Sequence, residues 1–393
     1  MNNKRTLKNQ AQSPASSVKV FVRVRPFSEK ESSSNPKLVV KIYDEKCLIF
    51  DPKVDEESFF FHGVAQRGRD INKKEKKNMV FEFDRVFDEN STNDEVYEAT
   101  TKSLIASVFE GYNCSVFAYG ATGAGKTFTM LGNQSQPGIT YLTIVQLLSH
   151  LDAIKDTFNV TVGASYLEVY NENVRDLLHP NSPVLQLRED NGRVTVAGLR
   201  IDPINNPQTL FTLLERGNEN RSQHPTDSNA ESSRSHAVFQ VHVRMVTKST
   251  GQVKLSKLSM IDLAGSERGV ATGCSGLRFK EGSNINKSLL ALGNCINALA
   301  DGLKHVPYRD SKLTRILKDS LGGNCQTVMV ANVSPHAASY EDTYNTLKYA
   351  NRAKSIKSKL SKNVLTDVMT IPQYKRLVEE LRTKIAKFEV IFF

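Results

Sequence analysis

The sequence predicts a single α/β domain in which a central, mostly parallel β-sheet is flanked by helices on both faces. Two observations carry this expectation. Apolar stretches of strand length alternate with stretches of helical periodicity from residue 18 to residue 353 without a break in composition. A glycine-rich turn at 120–127 also stands between an apolar strand and a helix, the order required of a phosphate-binding βα unit. With 393 residues, 39% hydrophobic and 24% charged, the chain can bury a substantial core.

Residues 1–17 (MNNKRTLKNQAQSPASS) are polar and basic and are expected to form a flexible N-terminal arm. Residues 18–24 (VKVFVRV) alternate apolar and polar side chains, so a strand is expected there, and a second such set covers 37–50. Residues 51–79 read as a long loop with a hairpin inside it. Within it Arg67, Arg69, Lys73, Lys74, Lys76 and Lys77 are offset only by Asp70 and Glu75, which makes either a solvated charged surface or a contact arm for an acidic partner. A helix is expected over 92–110, then a strand over 114–119 and a short helix over 127–131. Further strands are expected over 158–169, 237–246, 254–261 and 327–333, and helices over 141–151, 207–218, 283–300, 311–320 and 340–358.

The formal charge of +10 is clustered, which points to an acidic partner. Charge alone leaves nucleic acid, an anionic membrane and an acidic protein lattice open. The five cysteines (Cys47, Cys114, Cys274, Cys295, Cys325) form no C-x-x-C pair and have no histidine at ligand spacing, so neither a zinc site nor a disulfide framework is expected. No stretch approaches the roughly 18 apolar residues that span a bilayer, and the N-terminus lacks an apolar signal core. No membrane insertion and a cytoplasmic location are therefore expected.

Gly120, Ala121, Thr122, Gly123, Ala124, Gly125, Lys126 and Thr127 match G-x-x-x-x-G-K-[ST]. Such a loop turns its backbone N–H groups onto phosphates, the lysine reaches the β- and γ-phosphates, and the Thr127 hydroxyl faces Mg²⁺. An apolar strand ending in Asp262, with Gly265 three residues on, supplies a carboxylate for the metal and a small residue that can approach the γ-phosphate. Alone, D-x-x-G is common in turns. The segment 229–236 (NAESSRSH) packs hydroxyls and an arginine just before a strand, a set suited to Mg²⁺ and phosphate oxygens; without the other two motifs it would read as a polar loop.

The motifs VRVRP, FAYGATGAGKT, NAESSRSH and DLAGSE, in that order, resemble the kinesin motor family over about 18–367. The resemblance implies a kinesin-type P-loop NTPase motor domain over 18–353, using ATP and Mg²⁺. It implies that Ser232 and Ser233 engage the γ-phosphate and metal and that Arg234 pairs with Glu267 when the two switch loops close. It places Arg23, Arg25 and Pro26 along the adenine, Phe128 on the other side of the ring, and Asn229 in the nucleotide set. Thr127, Ser233 and Asp262 become the metal-binding group.

By the same resemblance the acidic partner is the microtubule. Arg278 and Lys280 in the Gly- and Ser-rich loop after the second switch, and Arg309, Lys312 and Arg315 in HVPYRDSKLTR, are expected contacts, with Lys73, Lys74, Lys76 and Lys77 on the long loop. No base-stacking aromatics or DNA-binding motif accompany these clusters, so a nucleic-acid partner is not expected. Residues 354–367 resemble a neck linker with Ile356 as its docking side chain, a placement that goes with plus-end-directed movement, and 368–393 resemble the start of a neck helix or coiled coil through which a longer chain would form a homodimer. Several stretches, among them AYGATGAGKT and HVPYRDSKLTRILKDSLGGNCQT, look most like kinesin-8, which implies shortening or restraint of microtubule ends and a location on spindle or axonemal microtubules. The competing reading is a non-motile microtubule anchor with a weak or inactive nucleotide site. Joint retention of Lys126, Thr127, Ser233, Asp262, Gly265 and Glu267 argues against it.

Overall fold

Alternate residues along the central strands feed two separate hydrophobic cores, one on each face of the sheet. The protein is seen in a computed structural model that describes residues 15–33, 37–51, 59–61, 64–66, 78–190, 193–222, 233–267, 277–365, 378–379 and 382. Its strands are β1 (Ala15–Ser17), β2 (Lys19–Val24), β3 (Arg85–Phe87), β4 (Cys114–Tyr119), β5 (Phe158–Tyr170), β6 (Asn173–Asp176), β7 (His236–Thr247), β8 (Val253–Asp262), β9 (Gln326–Val333), β10 (Lys357–Lys359) and β11 (Val364–Leu365). Smaller strands are given by residue range below. The central sheet runs β6-β5-β7-β8-β4-β9-β2-β3.

The pairs β8–β4, β4–β9, β9–β2 and β2–β3 are parallel, whereas β6–β5, β5–β7 and β7–β8 are antiparallel. With helices on both faces as expected, the sheet is mixed, parallel in four of its seven neighbouring pairs. The reason is local: β7 and β8 are joined by a short turn, and β5 and β6 by Asn171 and Glu172, both at positive φ (50° and 58°). Tight turns of that kind allow only antiparallel neighbours.

The helices are α1 (Asn93–Ala99), α2 (Lys102–Glu110), α3 (Lys126–Met130), α4 (Ile139–Ala153), α5 (Pro207–Ser222), α6 (Leu277–Ala300), α7 (Lys312–Ile316) and α8 (Tyr340–Ala353). On one face Val96, Leu104, Ile144 and Leu210 from α1, α2, α4 and α5 pack on Val116, Ala118, Val328 and Val330. On the other, Leu292, Leu313 and Leu347 from α6, α7 and α8 pack on Phe117, Tyr119, Met329 and Ala331. Each such side chain, fully buried, is worth about 1.5–3 kcal/mol, so both faces contribute comparably. The sheet is clamped between these two layers.

Several boundaries differ from expectation for identifiable reasons. The helix expected over 92–110 is two helices, because Thr100 turns its hydroxyl back onto Val96 O (2.5 Å) and Thr101 bonds Thr143 on α4 (2.6 Å), drawing the backbone off the helical path. The helix expected from 283 starts at Leu277, since Leu277–Glu281 are good helix formers and Gly282 costs only about 1 kcal/mol. The helix expected over 311–320 breaks at Leu317 into α7 and a one-turn helix, Lys318–Gly322. The helix expected to run to 358 ends at Ala353, and the chain turns out into β10. The long loop does hold a hairpin, Phe59–Phe61 against Val64–Gln66, and it emerges from a small sheet of Val40–Ile42, Cys47–Phe50 and Met79–Glu82.

The last three residues of the expected arm form a strand, and the rest of it lies outside the described residues. Ala15–Ser17 pairs antiparallel with Lys357–Lys359. From there the C-terminal segment lies along the domain: Ile356 is 1% exposed, Val18 N donates to Ile356 O, Asn363 N donates to Gly111 O, and Val364 and Leu365 pair with Lys254 and Val253. Of the expected neck helix only Val378, Glu379 and Arg382 are described, all in helical conformation.

Candidate functional site

The phosphate loop follows β4 and opens into α3, at the edge where the parallel strands end. Gly120 has φ 153°, and a Cβ there would lie 2.1 Å from Asn332 O, so only glycine lets the loop leave the sheet this way. Lys126 is 6% exposed and donates from Nζ to Gly120 O (2.9 Å) and Ala121 O (2.8 Å). Burial lowers its pKa, opposed by the charges of Asp262 and Glu267. A phosphate anion is the counter-charge this buried ammonium lacks.

Asp262, 4% exposed at the end of β8, accepts the Thr127 hydroxyl and Arg221 Nη1 on Oδ2, both at 2.8 Å. Its Oδ1 is buried and has no partner among the described residues. An orphaned carboxylate oxygen beside the Thr127 hydroxyl is a pair of hard oxygen donors that fits Mg²⁺. Among the described residues no cluster of three acidic, histidine or cysteine side chains forms a cage, so such an ion would lean on phosphate oxygens and water for its remaining ligands.

The two switches are in contact. Gly265 N donates to Ser233 O (2.8 Å) and Ser266 N to Gly120 O (3.0 Å), tying both switch segments to the phosphate loop. A Cβ on Gly265 would fall 2.1 Å from Thr122 Oγ1, which explains the glycine there. Glu267 accepts from Thr122 N (2.7 Å) and from the Thr122 hydroxyl, so its carboxylate rests on the phosphate loop. The two switch segments meet in the backbone bond from Gly265 N to Ser233 O. Ser232 and Asn229 lie outside the described residues.

Arg23, expected along the base, is engaged within the protein. It is 7% exposed, donates to Asn93 Oδ1 (2.6 Å), Thr129 Oγ1 (2.9 Å) and Ser91 O (2.9 Å), and lies 5.2 Å from the Phe128 ring centroid. Three of its N–H donors are used inside the protein, and its guanidinium backs the Phe128 ring; burial lowers its pKa to about 10. Phe128 is 37% exposed, leaving ring surface free for stacking. Arg25 makes a bidentate pair with Glu31 at 2.6 Å and bonds Pro26 O, while Pro26 is exposed beside it.

Two functional residues escaped sequence reading. Arg221, at the end of α5, reaches Asp262 and both the hydroxyl and carbonyl of Ser235 (3.0 and 2.9 Å). Burial opposes its charge, but Asp262, ahead of Tyr166, outweighs that and its pKa is raised. His236 is 2% exposed, accepts Ala264 N on Nδ1 (3.0 Å) and contacts Ser288 Oγ of α6 through Nε2 (2.8 Å). Burial, then the charges of Arg221 and Lys126, push its pKa down to about 3, so it is neutral and donates from Nε2. It joins both switches to α6. An arginine 41 positions before its aspartate carries no local signal; for His236 the motif gave the place and not the role.

Arg309 is largely exposed and pairs with Glu189 (3.1 Å), which also accepts Lys318 Nζ (2.7 Å). Ser311 Oγ and Lys312 N donate to Glu172 (2.7 and 2.8 Å), fixing the start of α7, which carries Arg315. Arg278 and Lys280 fall on the opening turn of α6, their side chains outside the described set, and Lys73, Lys74, Lys76 and Lys77 lie outside the described residues. On α6 itself Lys287 and Leu290 (57%) are exposed.

A phosphate loop, a carboxylate-ended strand and two switch segments bonded to it define a P-loop nucleotide-binding α/β domain with a built-in conformational switch. The kinesin motor domain model matches residues 23–356. The chain belongs to the kinesin family. It is 53% identical over 375 residues to kinesin-like protein KIF18A of Mus musculus, covering 94% of this chain and 42% of that protein. It is 51% identical to KIF18B of Homo sapiens (94% and 44%), and both are kinesin-8 proteins; kinesin-like protein KIF19 of Xenopus laevis is 45% identical over 98% of this chain and 38% of its own length. The chain thus spans less than half the length of these relatives. Among solved structures, one titled as a fast kinesin, with implications for ATPase mechanism and interactions with microtubules, superposes with a TM-score of 0.79 at 36% identity, covering 91% of this chain and 96% of that one.

Proposed function

We propose that this chain is a microtubule-stimulated ATPase motor, plus-end-directed, that regulates or shortens microtubule ends. The observation that carries the reading is the unbroken bonded path from Thr127 and Asp262, through Arg221, Ser235 and His236, to Ser288 on the exposed helix α6. A nucleotide that draws Ser233 and Gly265 inward acts on the same strand ends that hold α6, so phosphate occupancy is converted into movement of an exposed face. Lys126 binds and orients the terminal phosphates, Gly265 N–H and the Ser233 hydroxyl fix their position, and Glu267 with Arg234 organises attacking water. Thr127, Ser233 and Asp262 would hold Mg²⁺, which would supply charge neutralisation on the phosphate oxygens.

The track face comprises Arg278, Lys280, Arg309, Lys312 and Arg315, and a longer chain pairs through the segment after 368. The net charge of +10 supports an acidic filament as partner, and the likeness to KIF18A and KIF18B supports a role at microtubule ends; work on spindle or axonemal microtubules is part of the same proposal. The test measures ATP turnover with and without polymerised tubulin, together with end-resolved imaging of stabilised filaments. Turnover should rise at least about 10-fold on filaments and be abolished by Lys126→Ala. A rate indifferent to tubulin would leave only a non-motile anchor.

A further inference from the structure

At the end of β5, β7 and β8 remote from the phosphate loop, no helix among the described residues covers one face of the sheet. The register puts Thr161, Arg244 and Leu255 in one row and Gly163, His242 and Lys257 in the next, all on the same face. One step toward the nucleotide site that face is already roofed: Gln240 and Ser259 lie against Ile316 and Leu317. Past that roof the face is the floor of a cleft of about 720 Å³, open to solvent, walled on one side by Val194 and Ile201 and on the other by Ser361–Val364. Leu255 and Ile201 present apolar surface there, 38% and 54% exposed.

The charges are asymmetric. Among the described lining residues Arg244, Lys257 and Lys362 are cationic and Asp319 is the one carboxylate. Lys362 is neutralised by Glu110 at 2.9 Å, while Lys257 and Arg244 have no acidic partner among the described residues. His242 stays neutral, its pKa pushed down to about 4 by burial and by Lys257, and bonds Ser165. Two uncompensated cations flanking an apolar strip about two residues long suit alternating acidic and aliphatic side chains.

One wall is part of the docked C-terminal segment, held by Leu255 N to Asn363 O (3.0 Å), Asn363 Nδ2 to Gly111 O (3.1 Å) and Asn324 Nδ2 to Ser361 O (2.9 Å). The cleft exists in this shape only while that segment is docked. We propose that this cleft is a docking site for a short acidic peptide segment carrying aliphatic side chains, and that its occupancy holds 361–364 against the core. Whatever binds the completed cleft and not the open one stabilises docking by mass action. Leu255 and Lys257 lie five to seven residues back along β8 from Asp262, on the order of 17–23 Å at ~3.3 Å per residue, so such a ligand acts without entering the nucleotide site.

The test titrates a fluorescein-labelled peptide of sequence ELDLE into the full chain and follows anisotropy, with KLKLK as the charge-reversed control. Saturable binding at one site is expected for ELDLE, weakened at least roughly 10-fold by Lys257→Glu and by Leu255→Asp. Wild-type nucleotide binding by both variants certifies that they are folded. Saturating peptide should slow amide exchange in 361–364. Absent saturation, equal binding of KLKLK, indifference to both substitutions, or unchanged exchange in 361–364 each overturns the proposal.

Discussion

At the scale of single residues, Asp262 illustrates how a site is built from what surrounds it. The sequence identified this carboxylate by its place at the end of an apolar strand, but its partner Arg221 arrives from α5, 41 positions away, and no local pattern announces it. Both side chains are 4% exposed, so each is the condition for burying the other. Arg221→Ala should therefore cost about 3–5 kcal/mol in denaturant unfolding, far more than an exposed ion pair. Arg221→Lys should recover only part of that, because one ammonium cannot bond Asp262 and both groups of Ser235 in the same fixed fork. Histidines give a second prediction, with the sign set by their environment. His236 and His242 have folded values near 3 and 4 against a reference of 6.5, so below pH 6.5 the unfolded chain takes up protons that the folded chain refuses. Their stability contribution is full above pH 6.5 and lost as pH falls toward 4 and 3, with a slope of up to about 1.4 kcal/mol per pH unit per histidine. Denaturation measured between pH 7 and 4 should show it, and His236→Asn should flatten the curve.

Among elements, those with strong internal period were legible and those decided by contacts across the fold were not. Strands β4, β7, β8 and β9 and helices α4, α5 and α8 followed from apolar spacing, because burial on a sheet face or a helix stripe writes that spacing directly. The break at Thr100 and Thr101 depends on Thr143 of another helix, and β10 forms only because Ala15–Ser17 is beside it. Nothing within 340–358 itself ends the helix at Ala353. The docked segment yields its own prediction: Ile356 is buried in the second core, and Ile356→Ala should remove about 2–4 kcal/mol from its seat. Faster amide exchange confined to 356–365, with the central strands still protected, is the expected readout.

Over the whole molecule, the mixed sheet divides labour. Its parallel half ends in the phosphate loop and the second switch, and its antiparallel half carries the first switch and extends to the remote cleft. The basic excess was legible as a demand for an acidic partner, whereas its distribution was not: Arg309 and Lys318 already share Glu189, so part of the apparent positive field is compensated within the chain. Neutralising Lys73, Lys74, Lys76 and Lys77 to glutamine should leave nucleotide affinity unchanged, weaken filament binding most at low ionic strength, and reduce shortening of microtubule ends, read by filament co-sedimentation and end imaging. Unaltered end shortening would remove the loop from that role.

The antiparallel pairing of Ala15–Ser17 with Lys357–Lys359 fixes how the domain answers a pull. A load applied beyond residue 365 first meets the two rungs that Val364 and Leu365 make with β8 and the bonds of Asn363, and only when these give does it reach Lys359 opposite Ala15, ahead of Lys357. The segment therefore peels away rung by rung, starting at the central sheet and finishing at the short ladder, instead of shearing all at once.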